Sequence, residues 1–148
     1  MIKKNTLTQS SITLSELGFG ASPLGNIYKS ISEKETKQLI HKAIDYGITY
    51  FDVAPYYGHT LAETRLGTHL PKNKNNLILS TKVGRYGETD FNFSTQKTID
   101  SIYASLKRLK TDYIDIIFCH DIEFVDPKVI IQETIPTLVQ LRKKGLIK

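Results

Sequence analysis

GFGASPLG, residues Gly18 to Gly25, is the stretch on which the fold turns. Its first three residues have the G-x-G opening of a dinucleotide-binding turn. That turn works only when a helix starts directly against the glycines, so that its amide groups meet a pyrophosphate. Here Pro23 and a loop through Ile31 follow, and the first helix-start signal is Ser32. With no helix N-terminus against the glycines, the doubly wound nucleotide-binding reading is weak. What remains is a first buried strand, Glu16 to Ser22, whose glycines allow close backbone approach at its end.

Working outward, TLTQSSITLS (Thr6 to Ser15) alternates apolar and polar residues as a short surface hairpin does. Downstream, Ser32 with Glu35 forms a capping box, Leu39, Ile40, Ala43 and Ile44 make an apolar helix face, and Gly47 ends the helix. A second strand, ITYFDV, leads to a short helix, LAETRLGTHL, expected to be interrupted at Gly67. The third strand is NLILSTKVG; after a loop through Phe93, Ser94 caps the next helix, STQKTIDSIYASLKRLK. The fourth strand, DYIDIIFCHD, precedes a helical segment from Asp126 to Gly145. Pro136 is expected to break that segment, with Thr134 capping the second piece, because an interior proline removes a hydrogen bond and clashes with the preceding turn.

Four strand–helix units with nearly continuous apolar strands predict a parallel α/β sheet covered by helices. The fold class expected is the TIM (β/α)8 barrel type with only the first four β/α units present: a hairpin at about residues 6–15, then half a barrel, making one domain over residues 1–148. A whole barrel needs roughly 250 residues, so the expectation is the N-terminal half of a longer barrel, in truncated form. Strands one and four would each keep an unpaired edge, which predicts self-association or pairing with a missing C-terminal half.

The 148 residues, 40% apolar, suffice for one cored domain. The net charge of +5 is spread over 20 basic and 15 acidic residues and gathers into no aromatic-laced stripe, which argues against a nucleic-acid partner. No apolar run follows Lys3 and Lys4, and nothing approaches the ~20 consecutive apolar residues of a membrane span. A lone cysteine, Cys119, can form no internal disulfide and lacks zinc-site spacing. A cytoplasmic location and no membrane partner are the expectations.

In a β/α barrel, chemistry collects at the C-terminal strand ends. Strand two ends at Asp52 with Tyr57 five residues on, strand three at Lys82 and strand four at His120. Singly, each has an ordinary reading: a loop cap, aromatic packing beside Tyr56, a solvated lysine, a hydrogen-bonded structural histidine. Together they are coherent. A tyrosine with its usual pKa near ~10 exchanges protons poorly at neutral pH, and a nearby ammonium lowers that value. Lys82, held by Asp52, is expected to act so on Tyr57, while a neutral His120 orients a carbonyl or hydroxyl oxygen.

These four residues, carried on FDVAPYYG, STKVG and IIFCHD, resemble the catalytic tetrad of the aldo-keto reductases, a family of NAD(P)-dependent β/α barrels; the resemblance runs from about Leu14 onward. It implies Tyr57 as the catalytic tyrosine, with Lys82, His120 and Asp52 beside it and Tyr56 left to packing or substrate contact. It also implies NAD or NADP as cofactor, touched here by Asp52, Gly20 and Ala21, with most of that site beyond Lys148 and no metal. GFGASPLG, TKVGRYG, CHDIEF and ETIPTL are similar to the L-galactose dehydrogenase branch. That likeness implies oxidation of an aldose such as L-galactose to its lactone, or reduction of a related carbonyl, on a small-molecule sugar or carbonyl substrate. A second reading is a non-catalytic half-barrel or auxiliary binding protein on the same scaffold. A third, a metal-dependent hydrolase using His120, Asp121 and Glu123, lacks a first-strand H-x-H pair.

Overall fold

A computed structural model of the chain describes residues 2–8, 10–74 and 76–148. The alternating N-terminal segment folds as an antiparallel hairpin, β1 (Lys4–Thr6) against β2 (Thr13–Ser15), beginning two residues earlier than the pattern indicated. Gln9, within the expected hairpin, lies outside the described residues. Ser15 and Thr49 fasten β2 to the chain entering the second parallel strand: the Thr49 amide donates to Ser15 Oγ at 2.9 Å and the Ser15 amide to Thr49 Oγ1 at 3.2 Å. The hairpin therefore sits at the N-terminal end of the main sheet, opposite the strand ends that carry chemistry.

That sheet contains β3 (Gly18–Gly20), β4 (Tyr50–Asp52), β5 (Ile78–Val83) and β6 (Ile116–Cys119), parallel and in chain order. Side chains alternate across it. Phe51 and Leu79 join Ile40, Ala43, Leu66 and Leu109 in one buried cluster, and Val83 joins Ile102, Ile114 and Leu141 in a second. On the opposite face Tyr50, Asp52, Lys82 and Phe118 line a concavity of about 470 Å³ together with Gly18 and Gly20. A doubly wound sheet has helices on both faces; this one packs helices on one face and curves around an open one, the arrangement of consecutive β/α barrel units.

Helix α1 (Glu33–Asp45) starts at the expected capping box: Glu35 N–H donates to Ser32 Oγ, and Ser32 N–H donates to Glu35 Oε2 at 2.8 Å. Its buried stripe is Thr36, Ile40 and Ala43, so Leu39, expected in the apolar face, lies outside it at 45% exposed. Helix α2 (Leu61–His69) is not interrupted at Gly67. A Cβ there would strike the backbone of Arg108 and Leu109, so the glycine lets α2 and α3 (Thr95–Leu109) approach backbone to side. Ser94 caps α3 by accepting from the Lys97 amide.

The last helix does not break at Pro136. Helix α4 (Pro127–Val129) widens through a π-helical turn, Ile130–Thr134, and continues as α5 (Ile135–Lys143). The Ile135 amide reaches back to the Ile130 carbonyl, one residue further than in an α-helix, and the wider turn absorbs the ring that would collide with the preceding carbonyl. Thr134 is itself helical, and instead of capping it donates its hydroxyl to the Phe93 carbonyl at 2.5 Å, tying the loop after β5 to this helix.

Candidate active site

Parallel pairing sets Gly20, Asp52 and Ser80 side by side across three strands, and Lys82 beside Phe118 across β5 and β6. Residues two apart on β5 face the same way, so Ser80 and Lys82 both meet Asp52. Lys82 Nζ donates to Asp52 Oδ2 at 2.6 Å and to the Val53 carbonyl at 3.0 Å. Ser80 Oγ donates to Asp52 Oδ1 at 2.6 Å and lies 3.0 Å from Tyr50 Oη. Both carboxylate oxygens are thus engaged, and the lysine is fixed at the strand mouth with its side chain 11% exposed.

Tyr57 is delivered by a loop that two glycines press against its neighbour. Gly58 has φ +62°, a left-handed conformation open to glycine, and the backbone of Gly25 lies against Tyr57 and Gly58 so closely that a Cβ on Gly25 would come within 2.6 Å of the Tyr57 carbonyl carbon. The Gly18–Gly25 stretch therefore works through steric permission. Gly25 lets the loop after β3 pack against the tyrosine loop, and Gly18 leaves room for the Tyr50 ring.

The four residues read from the strand ends come together. The Tyr57 and His120 rings meet edge to face with centroids 5.7 Å apart, and Lys82 Nζ lies 5.3 Å from the Tyr57 ring centroid. Tyr56 packs beside both rings, 6.0 Å from His120 and 6.3 Å from Tyr57, with the Arg85 guanidinium stacked 3.9 Å from its own ring centroid. Arg85 in turn donates to Asp121 Oδ2 at 2.5 Å, which joins the loops after β5 and β6 above the site.

Protonation departs from the expectation for Tyr57. Burial, followed by the charges of Asp52 and Asp121 and by Tyr28, pushes the phenol up to about 12 rather than down. Lys82 is bound to Asp52, so the tyrosine meets an ion pair and not a bare ammonium. For His120 the shift is toward the uncharged ring: burial is the largest influence and lowers its pKa, with Lys82 and Arg85 acting the same way and Asp121 and Asp52 opposing. Its Nδ1 is buried without a hydrogen-bond partner.

Of the residues expected at the cofactor, Asp52 and Gly20 line the concavity, and the space where a Gly20 Cβ would stand is open for 4 Å. Ala21 is fully buried and its amide donates to the Asp52 carbonyl at 2.8 Å, so what it does in this structure is hold the end of β3 against β4.

Sequence reasoning missed several participants. Ser80 could have been found from its spacing, two residues before Lys82 on one strand. Glu63, fully buried, accepts from Thr81 Oγ1 at 2.7 Å and from Arg108 Nε at 2.6 Å, bridging α2, β5 and α3 directly beneath Lys82. Its place on the Ala62–Leu66 face of α2 was the available signal. Nothing local in TKVGRYG announced that Arg85 would reach Asp121.

Among the described residues no group of three or more His, Cys, Asp or Glu is placed to hold a metal ion, so His120, Asp121 and Glu123 form no ligand set. Nor, among those residues, is any helix long and apolar enough to cross a membrane.

Comparison with known proteins agrees with this geometry. The sequence pattern of the Aldo/keto reductase family matches residues 16–148. The chain is 42% identical to the L-galactose dehydrogenase of Arabidopsis thaliana over 147 residues, 97% of this chain and 46% of that protein. It is 32% identical to a D-threo-aldose 1-dehydrogenase of a Pseudomonas species, over 93% of this chain and 49% of that one. The solved holo form of the aldo-keto reductase AKR11C1 from Bacillus halodurans superposes with a TM-score of 0.84 at 32% identity, covering 99% of this chain and 48% of that one. The chain thus spans about half the length of the relatives it matches. With four tetrad-like residues on three successive parallel units and the family pattern running from Glu16 to Lys148, the chain belongs to the aldo/keto reductase family.

Proposed function

We propose that the chain is the N-terminal half of an NAD(P)-dependent oxidoreductase that oxidises an aldose such as L-galactose at its anomeric carbon, or reduces a related carbonyl, with Tyr57, Lys82, His120 and Asp52 as its catalytic group. The observation that carries this reading is the convergence of Tyr57, Lys82 and His120 at one strand-end mouth, with Asp52 holding the lysine at 2.6 Å. The aldose assignment is supported by likeness to proteins named L-galactose dehydrogenase and D-threo-aldose 1-dehydrogenase.

The residues present suit the nicotinamide end of such a cofactor. The concavity is open above Gly20 and is flanked by Asp52 and Lys82; Lys82 Nζ lies 5.3 Å from the Tyr57 ring centroid, and that ring packs against His120, whose Nδ1 lacks a partner. When bound, a nicotinamide nucleotide supplies the hydride acceptor or donor. The protein's residues do the rest. Tyr57 holds the proton that must reach or leave the substrate oxygen. His120, uncharged, offers that oxygen a hydrogen bond without competing for its proton. Asp52 and Ser80 fix the Lys82 ammonium beside the phenol, where it favours phenolate as the proton departs.

With its pKa raised, Tyr57 holds its proton at neutral pH, so reduction finds the acid ready while oxidation waits on phenolate and speeds up as pH rises. The open edges of β3 and β6 are the places where four further strands would complete a barrel, from a C-terminal half or from a second copy. A cytoplasmic site of action fits the single, unpaired Cys119.

The test is titration of the protein into reduced nicotinamide nucleotide, watching for a blue shift of the nucleotide fluorescence, followed by turnover of L-galactose with either oxidised nucleotide. Tyr57→Phe is expected to leave binding intact and slow turnover by about 10²- to 10⁴-fold. Absence of nucleotide binding by a barrel completed with strands five to eight, or full activity in Tyr57→Phe, refutes the proposal.

A further inference from the structure

The Arg85 guanidinium is wedged between the rings of Tyr56 and Phe91, 3.9 and 5.2 Å from their centroids, and is fixed further by a hydrogen bond from Nε to the Gly87 carbonyl. From that position its Nη1 donates to Asp121 Oδ2. The same Oδ2 lies 3.7 Å from His120 Nε2, too far for a hydrogen bond and close enough to form one after a small rotation. Asp121 is the residue next to His120 and sits in a left-handed conformation, φ +53°, that turns its carboxylate toward the ring. One carboxylate oxygen thus stands between a guanidinium and an imidazole, and the aromatic clamp on Arg85 decides which of them has it.

We propose that Arg85 is a positioning residue for His120: by holding the Asp121 carboxylate it keeps this carboxylate off imidazole Nε2 and leaves that nitrogen for a substrate oxygen. This rests on the reading of His120 as the group that meets the substrate oxygen. The chemistry is that of competing ion pairs. A guanidinium is always charged and remains the stronger partner, so the imidazole stays neutral. Without the guanidinium, Asp121 is left with the imidazole as its nearest partner, and forming an ion pair with it requires His120 to take up a proton. A protonated, carboxylate-bound imidazole cannot serve as the neutral donor at the mouth of the site. The remaining influences on the ring do not reverse this: Lys82 from β5 is already joined to Asp52 from β4, and the groups packed against its faces are the uncharged rings of Tyr56 and Tyr57.

The experiment is a pH titration of the His120 ring by NMR, with its resonance identified by its loss in His120→Gln. In Arg85→Gln the His120 midpoint is expected to rise by about one pH unit over the parent, the usual effect of a carboxylate brought into contact. In Arg85→Gln with Asp121→Asn the rise disappears, and in Arg85→Lys, which keeps a cation but loses the planar stack, it is partial. A midpoint in Arg85→Gln equal to that of the parent overturns the proposal, as does a rise that survives removal of the Asp121 carboxylate. Should Arg85→Gln fail to fold, Arg85→Lys carries the test alone, and an unmoved midpoint there counts against the proposal. The readout needs no nucleotide or sugar. A barrel completed with strands five to eight that shows this coupling yet binds no nucleotide refutes the oxidoreductase reading and leaves the Arg85 contact standing.

Discussion

Gly25→Ala puts the link between the first loop and Tyr57 under direct strain. The added Cβ would stand 2.6 Å from the Tyr57 carbonyl carbon and 2.7 Å from the Gly58 amide nitrogen, against the 3.4 Å at which ordinary contact begins. The loops after β3 and β4 must then part by about 0.8 Å, and neither neighbour is a side chain that can rotate away. Overpacking of this kind costs about 1–3 kcal/mol. For a chain of this size that is a fall of about 2–12 °C in melting temperature. The same displacement moves Tyr57 away from Lys82 and His120, and a misplacement near 1 Å costs about 10²-fold in turnover. Gly20→Ala is the control, since its Cβ meets nothing within 4 Å: its stability should stay within about 0.5 kcal/mol of the parent. Thermal unfolding by circular dichroism, with the Tyr57–His120 ring contact followed by NMR, reads both effects. If Gly25→Ala melts like the parent and preserves that contact, the loop-against-loop account of Tyr57 is wrong.

Glu63→Gln leaves Arg108, 21% exposed, without its carboxylate, and removing one partner of a buried pair costs about 3–5 kcal/mol, a loss of roughly 6–20 °C in melting temperature. Replacing both by methionine should restore most of it; a loss below about 2 °C in the single variant refutes the role given to the pair. Tyrosine absorbance against pH should show Tyr57, Tyr50 and Tyr86 ionising after the exposed tyrosines. For Tyr57 the folded value exceeds the unfolded value near ~10, so its contribution to stability is whole below that pH and is lost as pH climbs toward about 12. His120 has the opposite sign: its folded value is lowered, so stability falls as pH drops below the ordinary histidine range.

The order of elements and the four strand-end residues were legible because both follow from local periodicity and from the rule that consecutive β/α units pair in parallel. The corrections share a cause, which is contact between segments distant in sequence. Gly67 read as an interruption because glycine weakens an isolated helix; the backbone of Arg108 and Leu109 against it makes glycine the residue that fits. Pro136 read as a break because an α-helix cannot absorb it, but packing of Ile130 and Leu141 in the core and the Thr134–Phe93 bond hold the segment as one rod through a π turn. Leu39 read as core from its spacing, yet the buried stripe of α1 is centred on Thr36, Ile40 and Ala43, a rotation that four residues of pattern cannot resolve.

The Tyr57 reading failed in a more instructive way. Placing a lysine beside a tyrosine sets the sign of its influence only if the lysine's charge is free. In this site each cation is matched: Lys82 by Asp52 at 2.6 Å and Arg85 by Asp121 at 2.5 Å. Between the two pairs lie the rings that would hold and share a proton, Tyr57 and His120, in edge-to-face contact and half-buried. Burial then dominates for both, raising the phenol and lowering the imidazole, and each moves toward its uncharged form. The site is therefore two rings that favour their uncharged forms, set between two neutralised pairs. Breaking either pair by substitution places a permanent charge against one ring, so the two pairs should affect different partners: loss of Asp52 acts on Tyr57 through a freed ammonium, and loss of Arg85 acts on His120 through a freed carboxylate.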